Sequence, residues 1–252
     1  MADTFKSEAE FEAALVKRLK DFGWTGGVLH QPDEQDLLDN WAQILYQNNP
    51  GIDRLNGCPL TSGEMQQIIE QISALRTPMR LNGFINGRTV SIKRDNPDDA
   101  AHFGKEVSLY IYDRLDIAAG RSVYQIAEQP RFKAASARLN DRRGDVMLLI
   151  NGMPLIHIEL KRSGVPVSQA CNQIQKYAHE GVFSGLFSLV QIFVAMEPAE
   201  TVYFANPGPA GDFSLFRFHW ADFNNEPIND WNDVVRYLLS IPMAHQLIGF
   251  YS

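Results

Sequence analysis

Arg143-Gly144-Asp145-Val146-Met147-Leu148-Leu149-Ile150-Asn151-Gly152-Met153-Pro154-Leu155-Ile156-His157-Ile158-Glu159-Leu160-Lys161-Arg162 is the stretch on which the reading of this chain turns. Two apolar runs, Val146 to Ile150 and Leu155 to Leu160, predict two strands. Asn151-Gly152 between them is a hairpin-turn signal. Alternation along the second strand puts Ile156, Ile158 and Leu160 on one face and His157, Glu159 and Lys161 on the other. A strand that is otherwise apolar thus carries a carboxylate and an ammonium on one side. Burying such groups is costly unless they pair or bind something. A regular two-residue loop would set Asp145 opposite Ile158, on the wrong face for Glu159. A three-residue loop, Asn151 to Met153, sets Asp145 opposite Glu159. The expectation is that three-residue loop, or a bulge that restores the same parity.

Two carboxylates facing one point can hold a hard cation. Magnesium takes oxygen ligands in octahedral geometry and commonly keeps several waters. The backbone carbonyl of Leu160 can add a ligand. A neighbouring ammonium, Lys161, can orient a water and neutralise charge on a phosphate. Carboxylate, carboxylate and lysine around magnesium suit hydrolysis of a phosphodiester. The helix predicted after this strand carries Gln173 and Tyr177 four residues apart, hence on one face. Both side chains suit a nucleic-acid backbone or an ordered water. Arg138, Arg142, Arg143, Arg162 and Lys176 flank the constellation as a local basic rim.

Further out, Ser7-Glu8-Ala9-Glu10 has the form of a capping box. Phe11, Leu15, Leu19 and Phe22 follow at helical spacing, and Gly23 can end that helix. A second helix is predicted from about Glu34 to Asn49, and a third is capped through Thr61 and Glu64. After residue 85 short apolar runs predict strands at Val107 to Tyr112 and Val123 to Ala127. A helix over Val167 to Glu180 separates the central pair from strands at Leu189 to Ala195 and Val202 to Phe204. Residues 205–230 read as loop, and a last helix covers about 230–241. The expected fold class is α/β: a central mixed β-sheet flanked by helices, with a helical N-terminal portion. A helix-rich 1–85, a core at about 105–205 and the last helix are read as one domain.

The chain has 252 residues, 45% hydrophobic and 21% charged, which excludes wholesale disorder and fibrous repeats. Lys and Arg total 23 against 30 Asp and Glu, for a net charge of -7, so a protein that simply coats nucleic acid is disfavoured. Cys58 and Cys171 lie far apart, so neither a disulfide framework nor a cysteine zinc site is indicated. The polar N-terminus has no signal-peptide core. The longest uncharged run, Gly181 to Met196, has 16 residues with glycines, serines and a glutamine among them, and reads as buried strand and loop. A cytoplasmic setting with no membrane is expected.

At these residues the chain resembles the PD-(D/E)xK nuclease superfamily. More narrowly, it resembles the N-terminal nuclease domain of the R (HsdR-type) subunit of type I restriction enzymes. Arg143 to Val146, Asn151 to Leu155 and Ile158 to Arg162 carry the match, which continues through Asn172-Gln173-Ile174-Gln175-Lys176-Tyr177, similar to that family's QxxxY motif. The resemblance covers about residues 120–200. It implies that Asp145 and Glu159 are metal ligands and that Lys161 is the catalytic lysine. Gln173 and Tyr177 would support cleavage or DNA contact. Many superfamily members carry a glutamate on the first helix; Glu12 is the candidate and Glu8 the alternative. One departure is Gly144, where the motif's name has proline; that position donates no ligand, so activity is expected to survive.

The resemblance also implies a longer subunit with an ATP-driven translocase after the nuclease. No GxxxxGK(S/T) loop occurs here, so ATP would act only through that motor, and this chain would be a piece of the whole. The implied partners are double-stranded DNA and the methylation and specificity subunits, with cleavage falling on unmodified DNA. The competing expectations are a stand-alone nuclease of DNA repair or recombination, and a catalytically silent DNA-binding module of the same fold. His157 reads as a satisfied sheet histidine ahead of an outer partner of the site.

Overall fold

The computed structural model describes residues 3–117, 120–133, 141–208, 211–213 and 216–251. Arg138 lies outside the described residues. The first helix, α1 (Glu8–Asp21), starts at Ser7, whose hydroxyl accepts from the Glu10 amide at 3.2 Å. It buries Phe11, Leu15 and Leu19, three positions of one helical stripe. Past its end the Trp24 indole donates to the Leu239 carbonyl at 2.7 Å, and the Ile241 amide donates to the Phe22 carbonyl at 2.9 Å. The C-terminal segment therefore grips the far end of α1.

The next elements are β1 (Val28–His30), α2 (Glu34–Asn48), α3 (Ser62–Ala74), α4 (Pro78–Asn86) and the hairpin β2 (Thr89–Lys93) with β3 (Glu106–Tyr110). Reciprocal capping boxes start α2 at Asp33 and α3 at Thr61. Glu64 of α3 also meets the buried Arg94 guanidinium at 2.7 Å, and Arg94 reaches Asp99 at 3.1 Å and the Cys58 carbonyl at 3.2 Å. All three charged side chains are fully buried. Taking one cation away strands two carboxylates. Arg94→Met is expected to cost about 3–5 kcal/mol in a urea unfolding titration, and a cost below about 1 kcal/mol would show the carboxylates to be neutral or hydrated.

The core sheet follows: β4 (Tyr124–Glu128), the short pair β5 (Arg131–Phe132) and β6 (Arg142–Arg143), β7 (Val146–Ile150), β8 (Met153–Leu160), α5 (Val167–His179), β9 (Ile192–Glu197) and β10 (Glu200–Ala205). Its six strands run in the order β1-β4-β7-β8-β9-β10. The pairs β1–β4 and β8–β9 are parallel and the others antiparallel, so the sheet is mixed. Every residue of β7 and β8 is buried, which is why both read as nearly unbroken apolar runs. Among the described residues no helix is long and apolar enough to cross a membrane.

The hairpin between β7 and β8 takes the second of its two expected forms, a bulge. Ile150 pairs with Met153, so the loop has two residues, Asn151 and Gly152, and not three. Both have positive φ, as a twisted two-residue hairpin turn requires. Gly152 also lies against Trp41 of α2, where a Cβ would come within 2.9 Å of the tryptophan backbone. Parity is restored further along. Leu149 pairs with Pro154 and Leu148 with Ile156, leaving Leu155 as an extra residue. Beyond that bulge Val146 faces Ile158, so the next position sets Asp145 across from Glu159.

Smaller differences concern β1, α4 and β2, which were not anticipated, and the run ahead of β9, which is a 3-10 turn over Gly185–Leu189. The last predicted helix is short, α6 (Trp231–Val234), continuing as a π turn over Val235–Leu239, with α7 (Met243–Gln246) after it.

Candidate active site

Asp145 sits in the bend before β7, and its Oδ2 accepts from the Leu160 amide at 2.7 Å across the hairpin end. That bond fixes the carboxylate beside Glu159, which is fully buried. The register beyond the bulge sets the two carboxyl groups across from one another. Burial first, and then the neighbouring Glu159 charge, push the Asp145 carboxyl up to about 8. Burial likewise pushes Glu159 up to about 8, with the Lys161 ammonium opposing. Two adjacent acids, Glu159 fully buried and Asp145 half-buried, that cannot both ionise cheaply are a site with room for a positive charge.

Lys161 follows Glu159 at the end of β8. Its ammonium donates to the Leu160 carbonyl at 2.7 Å and lies 3.2 Å from a carboxylate oxygen of Glu8. The carbonyl expected to face a metal is thus capped by the lysine here. Of the two glutamates weighed on α1, Glu8 is the one in direct contact with Lys161. Glu12, one turn on, is buried and accepts from the Gln129 amide at 3.1 Å. Burial raises its carboxyl to about 7; the Gln129 bond opposes this, and the charges of Asp145 and Glu128 add to it. Glu12 lines a cleft of about 390 Å³ with His30, Gln31, Glu128 and Gln129.

From the other side, α5 brings in the amide of Gln173, which hydrogen-bonds Glu159 Oε1 and lies 2.8 Å from the Tyr177 hydroxyl. Tyr177 in turn donates to the Arg143 carbonyl at 2.9 Å. Burial, followed by the Glu159 charge, raises the Tyr177 phenol to about 12, so it remains a donor. These two residues therefore tie α5 to the acidic pair and to the backbone just before Asp145. The sequence reads His157 as an ordinary sheet histidine. It is fully buried and its Nε2 lies 3.2 Å from Glu159 Oε2. Burial lowers its basicity to about 4, so the ring is neutral.

The basic rim is thinner than its residue count suggested. Arg142 makes two bonds to Glu180, at 2.6 and 2.7 Å. Arg143, Arg162 and Lys176 remain exposed. Lys176 lines a polar groove of about 450 Å³ with Gln169, Asn172, Gln173, Tyr177 and Arg142. Gly144 has a structural reason. Its amide donates to the Pro130 carbonyl at 3.0 Å, and a Cβ there would lie 2.7 Å from His157 Cε1. Proline would lose the bond and strike the ring.

Among the described residues no three His, Cys, Asp or Glu side chains are grouped to hold a metal unaided. The donor set on offer is two carboxylates, one backbone carbonyl and solvent. That set suits a cation such as magnesium, which keeps several waters, better than zinc. Residues missed on reading the sequence are Gln129, which reaches Glu12 from a left-handed corner after β4, and the Glu8–Lys161 contact.

Residues 5–212 match the family described as Type I restriction enzyme R protein N terminus. The chain is 29% identical over 238 residues to the endonuclease subunit of a type I restriction enzyme from Staphylococcus saprophyticus, covering 93% of this chain and 23% of that protein. A similar subunit from Staphylococcus aureus strain MSSA476 is 28% identical over 228 residues, covering 89% of this chain and 22% of that protein. The endonuclease subunit of the type I restriction enzyme EcoprrI from Escherichia coli is 29% identical over 241 residues, covering 92% of this chain and 70% of that protein. The chain thus spans under a quarter of the staphylococcal relatives.

Proposed function

The chain belongs to the family of type I restriction enzyme R protein N termini, and from that premise we propose that it is the DNA-cleaving part of a type I restriction subunit. The reaction is magnesium-dependent hydrolysis of phosphodiester bonds in unmodified DNA. Asp145 and Glu159 hold the cation with the Leu160 carbonyl. When bound, magnesium supplies charge for the phosphate oxygens and an acidified water. Lys161 turns from the Leu160 carbonyl and Glu8 toward the phosphate, where its ammonium offsets developing negative charge. Gln173 keeps Glu159 oriented, and Tyr177 braces the backbone before Asp145. Arg143, Arg162 and Lys176, exposed at the rim, meet the backbone of double-stranded DNA. Residues 1–252 act as one nuclease domain. In the longer subunit an ATP-driven translocase follows it, and the subunit works with methylation and specificity subunits.

The observation that carries this reading is the bulge at Leu155, which brings Asp145, Glu159 and Lys161 to one end of one hairpin. The test is Glu159→Ala in the full-length subunit assembled with its partners. DNA cleavage should fall by about 10³-fold or more while ATP hydrolysis continues. Cleavage at the unaltered rate would place the nuclease site elsewhere.

A further inference from the structure

We infer that His157 is a positioning residue that holds Glu159 for the cation from behind, and that Gly144 is the space this arrangement needs. The inference rests on Glu159 being a metal ligand. The two oxygens of that carboxylate are held by donors from different elements. Oε1 meets the Gln173 amide from α5, and Oε2 faces the His157 ring at 3.2 Å from within β8. Ionised on a cation, the Glu159 carboxylate only accepts, so the ring nitrogen facing it then carries the hydrogen. Each oxygen keeps a second lone pair for a cation. The ring itself cannot swing away. Phe132, Phe183 and Phe193 pack edge-on around it, with centroids 6.1, 5.4 and 6.1 Å off. On the remaining side Gly144 leaves no Cβ to displace it.

This histidine comes at a cost. Its other nitrogen, Nδ1, is buried and has no hydrogen-bond partner among the described residues. Its nearest strand neighbours, Ile156 and Ile158, are apolar and buried, and a residue like them would fill the position without an orphaned polar atom. What the ring provides in exchange is its one bond, and that bond goes to Glu159. Groups that orient a metal ligand in this way change metal affinity when removed, by about 10- to 100-fold.

The experiment compares His157→Met with His157→Gln in the full-length protein, titrated calorimetrically with Mg²⁺ alone. The two replacements match in length and flexibility, and only glutamine keeps a donor where Nε2 stands. Methionine should weaken Mg²⁺ binding about tenfold or more, and glutamine should recover most of it. Equal effects of the two, or unchanged binding in both, would overturn the inference and leave His157 a packing residue. If neither variant folds, Gly144→Ala carries the test, because its Cβ presses hardest on the Cε1 edge of an intact ring, with Phe132 the next contact at 3.1 Å. It should weaken binding by the same order, and unchanged binding would sink the idea. Glu159→Ala in the same titration separates the two readings. If that variant binds Mg²⁺ normally, the metal-site reading fails whatever His157 does. If binding is lost there and His157→Met is unaffected, only the positioning role falls.

Discussion

Lys161→Ala should reduce DNA cleavage about 100- to 1,000-fold and leave Mg²⁺ binding and folding nearly unchanged. The lysine stands at the end of β8, its ammonium 2.7 Å from the Leu160 carbonyl and 3.2 Å from Glu8. Its partner Glu8 is 45% exposed, so water can take over from the lost ammonium. An ion pair with one open side is worth about 1 kcal/mol or less. The substitution therefore removes a charge from the reaction without removing a strut from the fold. Lys161→Arg should not restore activity. A guanidinium is planar and larger, and it cannot act as the compact point charge that this 9% exposed corner admits. Cleavage within about threefold of the unmodified subunit in Lys161→Ala would remove the lysine from the mechanism, since charge stabilisation at the phosphate is worth far more than that.

Asp145→Asn should abolish Mg²⁺ binding and cleavage, yet make the metal-free protein more stable at pH 8. The sign follows from the two raised carboxyl groups. Both Asp145 and Glu159 are pushed to about 8 by burial and, for Asp145, by the charge facing it. Unfolded, they titrate near 4. Between about pH 4 and pH 8 the native, metal-free state holds more protons than the unfolded state, so its stability falls as pH rises through that window. Asparagine keeps the acceptor for the Leu160 amide, which Asp145 now bonds at 2.7 Å, and takes away one of two like charges. In a chelator, urea unfolding of the unmodified protein should show stability declining from pH 5 to pH 8. The variant should decline less and be on the order of 2 kcal/mol more stable at pH 8. A flat profile for the unmodified protein, or a variant that is less stable at pH 8, would mean that the pair is not under this electrostatic load.

The hairpin at the centre of the molecule was legible because its physics is local. Apolar runs, an Asn-Gly turn and strict alternation put Glu159 and Lys161 on one face before any tertiary contact is considered. By the same alternation Asp145 needs one extra residue to join them, in the loop or in a strand. Alternation does not say where that residue sits, because a loop and a bulge cost similar free energy in an isolated hairpin. The choice is made by packing: the turn closes tightly on Trp41, and Leu155 takes up the slack in the buried interior. The caps at Ser7 and Thr61 were equally readable. By contrast, β1 has three residues and exists only because β4 lies alongside it in parallel. Thr89 to Lys93 does alternate, but its partner strand lies beyond a loop that the buried Arg94 network shapes. The contacts of Glu8 and Gln129 depend on side chains meeting across elements far apart in sequence, for which no spacing rule exists. Arg142 looked like part of a basic rim for a related reason: nothing in the sequence announces that Glu180 neutralises it.

The grip of the C-terminal segment on α1 makes that helix a rod clamped at one end. Fourteen residues of helix span roughly 21 Å. Leu239 and Ile241 hold the far end through Trp24 and Phe22, and Glu8 at the near end touches Lys161. The clamp lies past residue 212, where the family match stops. The portion that the family model covers is therefore shorter than the portion that sets the geometry around Lys161. A fragment trimmed at residue 212 would keep Asp145, Glu159 and Lys161 and lose the anchor of the helix that carries Glu8 and Glu12. Measured by mechanical dependence, the site extends to Leu239 and Ile241.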